Sequence, residues 1–98
     1  MPAHVHVAFF RWKPGTNSEA IEAAMARVRA LVSIPGLLSV HTGPKYSDHD
    51  NGYQHAVVVI GSSAAAIDAY RQHPDHRAVA NEIAAMYDEA VGLDFVDT

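Results

Sequence analysis

With 98 residues, 49% of them hydrophobic, the chain is long enough for one small domain with a single core. Its net charge of -4, with only seven scattered Lys and Arg residues, argues against a surface for nucleic acid or for an anionic membrane. The absence of cysteine excludes disulfides and thiolate ligands, and the first residues carry neither a charged leader nor a long apolar run, so we expect a soluble cytoplasmic protein.

The first half of the chain predicts a strand, a helix and a second strand. Alternating apolar and aromatic residues indicate a strand over residues 3–12, with even-numbered positions from His4 to Phe10 on one face. Thr16 and Glu19 have the spacing of a capping box, so a helix should begin there. Its apolar stripe comprises Ile21, Met25, Val28 and Val32. Ile34-Pro35-Gly36 should end this helix before a short strand at residues 37–42.

The second half predicts a strand, two helices and a last strand. A polar turn leads into residues 53–60, whose β-branched run is typical of a central strand. Ser62 or Ser63 should cap a short helix that runs through Tyr70. Pro74 suits only the first turn of a helix, so a second helix should begin after His73. Its apolar stripe comprises Val79, Ile83, Met86 and Tyr87, and residues 91–96 supply the last strand.

The predicted order βαββαβ indicates one α+β domain over residues 1–98 with a ferredoxin-like arrangement. Its common form is a four-stranded antiparallel sheet with strand order 4-1-3-2 and both helical segments on one face. Such a sheet leaves its other face bare, and the apolar content of the chain suffices to cover that face only if a second copy packs on it. We therefore expect a homodimer.

The segment from Tyr70 to His76 concentrates polar side chains where one predicted helix ends and the next begins. His76 precedes Val79 by three residues and Ile83 by seven, which places it on the buried face of its helix. A neutral imidazole can take a proton from the carbon beside a carbonyl, while a phenol can donate a hydrogen bond to the resulting enolate. Tyr70 and His76 are therefore candidate catalytic residues, although a buried His and Tyr can also simply bond each other at a helix junction.

The strand histidines are candidates for lining the same pocket. His4 and His55 fall on the first and third strands, which are neighbours in the predicted sheet, and the pattern leaves open whether they share a face. If they share the helix-facing side, they would converge with the candidate pair on one cavity. His73 should mainly cap the new helix or brace the turn. The remaining histidines are expected at the surface or in an interface: His6, His41 and His49.

A metal site is the less favoured use of these histidines. Pro74 disturbs the helical spacing between His73 and His76, and no carboxylate completes a usual zinc or iron ligand set. The turn with Asp48 and Asp50 lacks the glutamate of a calcium loop, and no glycine-rich phosphate loop is present. We expect neither a metal nor a cofactor.

Several segments together resemble the stress-responsive α/β-barrel, or Dabb, family. They cover nearly the whole chain and comprise the opening His4 to Lys13, Ile34-Pro35-Gly36, Gly52-Tyr53-Gln54-His55 and Tyr70-x-x-His73-Pro74-x-His76. The resemblance implies a ferredoxin-like protomer whose sheet packs against that of a second protomer, forming a dimeric barrel with the helices outside.

The same resemblance implies an activity, because the family includes a plant polyketide cyclase that closes a ring by intramolecular aldol condensation. By motif position, Tyr70 and His76 would be the catalytic pair, with His4, His55 and His73 contacting the substrate. The expected function is a cofactor-independent cyclase or lyase that acts on a small, partly apolar or aromatic carbonyl compound. The alternatives are a non-catalytic stress-associated dimer that binds a small apolar ligand, and a cofactor-free oxygenase on the related barrel.

Overall fold

The computed structural model describes residues 2–98, which form one antiparallel sheet with a layer of helices on one face. The strands are β1 (His4–Trp12), β2 (Leu37–Pro44), β3 (His55–Gly61) and β4 (Tyr87–Val96). The helices are α1 (Ser18–Ala30), α2 (Ala64–Gln72) and α3 (Pro74–Ala84), and a 3-10 turn at Leu31–Ser33 follows α1. The strand order β2-β3-β1-β4 confirms the predicted ferredoxin-like arrangement. No helix within the described residues is long and apolar enough to cross a membrane.

Helix α1 begins slightly later than the capping box predicts. The side chain of Asn17 accepts a hydrogen bond from the Ala20 N–H at 3.1 Å, which satisfies one of the free donors of the first turn. The Thr16 hydroxyl instead donates to the Lys13 carbonyl at 2.6 Å. The predicted start at Thr16 was therefore wrong, because Thr16 closes the preceding turn and leaves the cap to Asn17.

The hydrophobic core lies between the helices and the helix-facing side of the sheet. Val57 and Val59 of β3 are buried there, as expected of a central strand. Burying a side chain of this kind stabilises the fold by about 1.5–3 kcal/mol each. The helices complete the core with the following residues: Ile21, Ala24, Met25, Val28, Ile67, Tyr70, Val79 and Ile83.

Strand β4 begins earlier than the pattern of apolar residues predicts. Helix α3 ends at Ala84, so Met86 and Tyr87 lie outside the helix whose apolar stripe they continue. The Met86 carbonyl accepts a hydrogen bond from the Lys13 N–H at 2.9 Å, which ties the start of β4 to the end of β1. Apolar spacing alone cannot separate the last turn of a helix from the first residues of a strand.

The junction between α2 and α3 has the predicted form, with Pro74 in the first turn of the new helix. His73 has an extended backbone with φ -63° and ψ 135°, and its Nδ1 accepts a hydrogen bond from the Asp75 N–H at 3.1 Å. The chain can thus change direction without leaving the first turn of α3 uncapped. This geometry lets Tyr70 and His76 both face the sheet.

The second face of the sheet has no covering layer in residues 2–98. On β1 and β4, Phe9 lies opposite Val91 and Val7 lies opposite Leu93. Phe9 is 41% exposed and Leu93 is 65% exposed, and Phe95 is also exposed on the same face of β4. This open sheet face is the bare apolar surface that the sequence predicted.

Candidate functional site

A cavity of about 190 Å³ lies between the helices and the helix-facing side of β1, β3 and β4. Its walls are mainly apolar and comprise Ala8, Phe10, Val28, Val57, Val79, Ala80, Ile83, Tyr87 and Ala90. Three polar side chains complete the lining: His6, Tyr70 and His76. Since an apolar cavity of about 150 Å³ can hold benzene, this one can hold a small aromatic or short acyl compound.

Tyr70 comes from the last turn of α2, and the side chain is almost fully buried, at 3% exposure. Burial raises the pKa of its phenol to about 12, and the positive charge of Arg71 opposes this with a lesser effect. Within residues 2–98, Nδ1 of His4 is the only side-chain nitrogen or oxygen that is both inaccessible to solvent and without a hydrogen-bond partner. The Tyr70 hydroxyl also has no hydrogen-bond partner in this part of the chain, so its oxygen must be accessible. It therefore opens on the cavity as a protonated donor.

His76 comes from the first turn of α3, and its ring centroid lies 4.4 Å from that of Tyr70. Its Nδ1 is 3.0 Å from the Arg71 carbonyl oxygen, which can only accept, so Nδ1 carries a proton and Nε2 of the neutral ring has a free lone pair. Burial lowers the pKa of His76, and the positive charge of Arg71 lowers it further, against the opposing effect of the hydrogen bond to the Arg71 carbonyl. His76 is thus suited to accept a proton near neutral pH.

His6 is the polar residue of this cavity that sequence reasoning missed, since we expected it at the surface or in an interface. Its ring centroid lies 6.3 Å from that of Tyr70, and its Nδ1 lies 2.6 Å from Oδ1 of Asp94. The second oxygen of Asp94 accepts a hydrogen bond from Arg71 at 2.6 Å. The alternation of β1 gave a usable signal, because it placed His6 on the same face as Ala8.

His4 and His55 both lie on the helix-facing side, but they do not meet. His4 lies opposite Gly61 in β3, whereas His55 lies opposite Phe10 in β1. These positions are six steps apart along β1, or roughly 20 Å at about 3.4 Å per residue. The predicted convergence of both histidines with Tyr70 and His76 on one cavity is therefore wrong, because the cavity lies between them.

The three predicted substrate contacts each lie outside the cavity. Nδ1 of His55 accepts a hydrogen bond from the Trp12 indole at 2.9 Å, and its Nε2 lies 3.0 Å from a carboxylate oxygen of Glu22. His4 lines a separate shallow groove beside Ile67. His73 caps α3 with its side chain. None of these three side chains lines the cavity formed by the described residues.

Metal-binding groups are not clustered in the described part of the chain. Residues 2–98 contain no group of three or more His, Asp or Glu side chains arranged to hold a metal ion. His73 and His76, the two histidines at the junction of α2 and α3, are turned apart, because His73 caps a helix while His76 faces the cavity.

The fold and the site together define a ferredoxin-like α+β protein with a small, mainly apolar cavity between its sheet and helices. Residues 5–97 match the model of the Stress responsive A/B Barrel Domain, so the chain belongs to the Dabb family. No curated protein matches this chain.

Solved structures agree with this assignment. A dimeric ferredoxin-like protein of unknown function from Thermobifida fusca is 29% identical, with a TM-score of 0.86 over 97% of this chain and 91% of that chain. A protein from Arabidopsis thaliana is 26% identical, with a TM-score of 0.87 over 97% and 95% of the two chains. A hydroxynitrile lyase from Passiflora edulis is 21% identical and shares the fold, with a TM-score of 0.87 over 98% and 94%.

Proposed function

We propose that this protein is a cofactor-independent enzyme of the aldol-type cyclase or lyase class that acts on a small, partly apolar carbonyl compound. The observation that carries this proposal is the placement of the Tyr70 phenol beside the His76 imidazole in one apolar cavity. Paired acid and base groups in a site of low polarity are the arrangement that proton transfer beside a carbonyl requires.

Each of the two residues has a distinct role in this reaction. Nε2 of His76 takes a proton from the carbon next to a carbonyl, while Tyr70 donates a hydrogen bond to the oxygen on which negative charge develops. The enolate carbon then forms a bond to a second carbonyl carbon of the same molecule. The new alkoxide takes the proton from His76, so the base is regenerated. Tyr70 stays protonated throughout, because burial has raised its pKa to about 12.

The apolar walls support this division of roles. A hydrogen bond to a developing enolate is stronger where water is excluded, since the effective dielectric constant is lower there. The same walls favour a substrate with an aromatic or short alkyl group. The Passiflora edulis lyase has the same fold, and at 21% identity it supports only the capacity of this fold to carry a lyase.

We also propose that the chain acts as a homodimer through the open sheet face. The exposed apolar side chains of β1 and β4, including Phe9 and Leu93, form one continuous surface that a second sheet could cover. The similar protein from Thermobifida fusca is dimeric. Pairing two open sheet faces would produce a barrel with the helices outside and would leave the cavity on the helical side of each sheet.

The second candidate function is a non-catalytic dimer that binds a small apolar ligand. Nine of the twelve residues that line the cavity are Ala, Val, Ile, Phe or Tyr87. A lining of this kind can bind a small apolar ligand without catalysing a reaction, which favours this second function. The two candidates differ in one measurable property, which is whether a bound ketone exchanges its protons with solvent.

Proton exchange tests the proposal without knowledge of the natural substrate. Acetophenone in D₂O would be followed by ¹H NMR, and the protein should accelerate loss of the methyl signal. His76→Gln keeps a donor for the Arg71 carbonyl but removes the base, and Tyr70→Phe removes the enolate donor, so both should slow the exchange. His49→Gln, in an exposed loop, is the matched control and should exchange at the wild-type rate. Binding with no accelerated exchange in the wild type would overturn the enzyme and support the ligand-binding dimer.

A further inference from the structure

The carboxylate of Asp94 joins two groups from different elements at the edge of the cavity. Asp94 lies directly opposite His6 in the β1–β4 pair, with its Oδ1 at 2.6 Å from Nδ1 of His6. Its Oδ2 accepts a hydrogen bond from the Arg71 guanidinium at 2.6 Å. Both partners must donate, because an ionised carboxylate has only acceptors. Nδ1 of His6 therefore carries a proton.

The partners of Asp94 keep its carboxylate ionised. The hydrogen bond from His6 lowers the pKa of Asp94 most; burial opposes it, and the hydrogen bond and charge of Arg71 lower the pKa further, so that it lies below its ordinary value. The Arg71 guanidinium also lies 3.4 Å from Nδ1 of His6, but the contacts of both groups with Asp94 are much shorter, at 2.6 Å, and the contact between Nδ1 and the carboxylate requires a proton on Nδ1. A lone pair on that nitrogen is thus not available to Arg71.

The proton on Nδ1 decides what His6 presents to the cavity. In a neutral imidazole, a proton on one ring nitrogen leaves a lone pair on the other. Nε2 of His6 has no hydrogen-bond partner within residues 2–98 and is accessible to solvent. The His6 ring lines the cavity. The cavity therefore has a hydrogen-bond acceptor at His6 in addition to the donor at Tyr70.

We propose that Asp94, clamped by Arg71, is a positioning residue that fixes the proton of His6 on Nδ1, so that Nε2 accepts a hydrogen bond from a hydroxyl group of the bound ligand. The inference rests on the proposed function and deepens it, because it states which group a ligand must carry. The clamp consists of half-exposed side chains, so its main effect is on the direction of the hydrogen bond and not on stability.

Replacement of Asp94 by asparagine reverses the direction of this hydrogen bond. In the Asp94→Asn variant the oxygen of the new amide must face Arg71, which only donates, so the amide NH₂ turns to His6 and donates to Nδ1. The His6 proton then moves to Nε2, and the cavity loses its acceptor. In the double variant Arg71→Met with Asp94→Asn, the amide is free to turn, and its oxygen can again accept from Nδ1.

The ¹⁵N chemical shifts of the His6 ring test this prediction without any turnover. The spectra are recorded at increasing pH until the ¹⁵N shifts show the neutral ring, in which one nitrogen carries a proton and the other does not. The wild type should carry its proton on Nδ1, Asp94→Asn on Nε2, and the double variant on Nδ1 again. Asp88 lies on β4, as Asp94 does, but its carboxylate accepts a hydrogen bond from Arg11. Asp88→Asn should therefore leave the position of the His6 proton unchanged. A wild-type proton on Nε2, or an Asp94→Asn variant with its proton on Nδ1, would overturn the proposal.

A pair of ligands of similar shape tests the consequence for binding. Phenol and toluene differ mainly in the hydroxyl, and an NMR titration should show that Asp94→Asn lowers the preference for phenol about fivefold, the value of one net hydrogen bond. Asp88→Asn should keep the wild-type preference. An unchanged preference in Asp94→Asn, with the proton of His6 moved, would refute the role in binding. Both measurements stand even if no ketone exchange is found, so they are separate from the test of the enzyme.

Discussion

The rings of Tyr70 and His76 lie 4.4 Å apart between centroids, although they belong to two helices separated by Pro74. The backbone carbonyl of Arg71, the residue after Tyr70, accepts the hydrogen bond from Nδ1 of His76 at 3.0 Å. The end of α2 thus orients the ring supplied by α3. A helix that continued through this segment would have used that carbonyl within its own backbone ladder, so the break at Pro74 makes the contact possible.

The first prediction concerns the pH dependence of stability. Burial lowers the folded-state pKa of His76 below the unfolded value of about 6.5, so in this range the unfolded chain binds more protons than the folded chain. The corresponding stability is fully present above about pH 6.5 and is lost as the pH falls through the folded-state pKa. Thermal unfolding at about pH 7.5 and about pH 5 should show a smaller loss for His76→Gln than for the wild type. His49→Gln should behave as the wild type, and equal losses in wild type and His76→Gln would contradict the lowered pKa.

The second prediction separates the chemistry of Tyr70 from its packing. Tyr70→Phe keeps the buried ring and removes a hydroxyl that has no partner within residues 2–98. The free energy of unfolding should therefore change by less than about 1 kcal/mol. The rate of ketone proton exchange should fall about 10²–10³-fold, as it does when one donor to a developing oxyanion is removed. Urea unfolding and the NMR exchange assay measure the two effects. A large loss of stability with an unchanged rate would show that the hydroxyl has only a structural role.

The third prediction assigns His55 a structural role. Trp12 is 5% exposed, and its indole N–H donates to Nδ1 of His55 at 2.9 Å. His55→Leu leaves this buried donor without an acceptor, so the free energy of unfolding should fall by about 1–3 kcal/mol. Trp12 is the single tryptophan of the chain, so its fluorescence can follow unfolding in urea. Ketone exchange by the folded variant should match the wild type. Normal stability with lost exchange would return His55 to the substrate-binding role that the family resemblance implied.

The fourth prediction concerns His4, whose Nδ1 is buried without a partner in residues 2–98. A buried polar group without a hydrogen bond destabilises the fold, whereas an apolar side chain in its place would face the groove that Ile67 also lines at no such cost. His4→Leu should raise the free energy of unfolding by about 1 kcal/mol, measured by urea unfolding. The same replacement at exposed His49 should have little effect. Loss of phenol binding in His4→Leu would instead indicate that His4 contacts the ligand.

The fifth prediction tests the dimer. Val91 on the open sheet face is 43% exposed and Val32 on the helical side is 44% exposed, so the two sites offer the same substitution at the same exposure. Val91→Glu places a charge in the proposed interface and should convert the protein to monomers in sedimentation velocity. Val32→Glu should remain dimeric. A monomeric wild type, or a Val91→Glu variant that still dimerises through an unchanged interface, would rule out pairing through this face.

The sequence by itself determined the order of elements, the strand order and the inward direction of Tyr70 and His76. These features follow from local rules, since the periods of strands and helices and the effect of Pro74 act over a few neighbouring residues. The start of β4 escaped prediction because Met86 and Tyr87 fit either period.

Only the tertiary structure decided which strand histidine reaches the cavity. Alternation places His4 and His6 on the same face of β1, and the position of α2 and α3 along that strand selects His6. The pairing of His6 with Asp94 joins residues 88 positions apart. Such a contact depends on the register of β1 against β4 and on the side from which Arg71 approaches. Both are set by packing across the whole domain and leave no local pattern in the sequence.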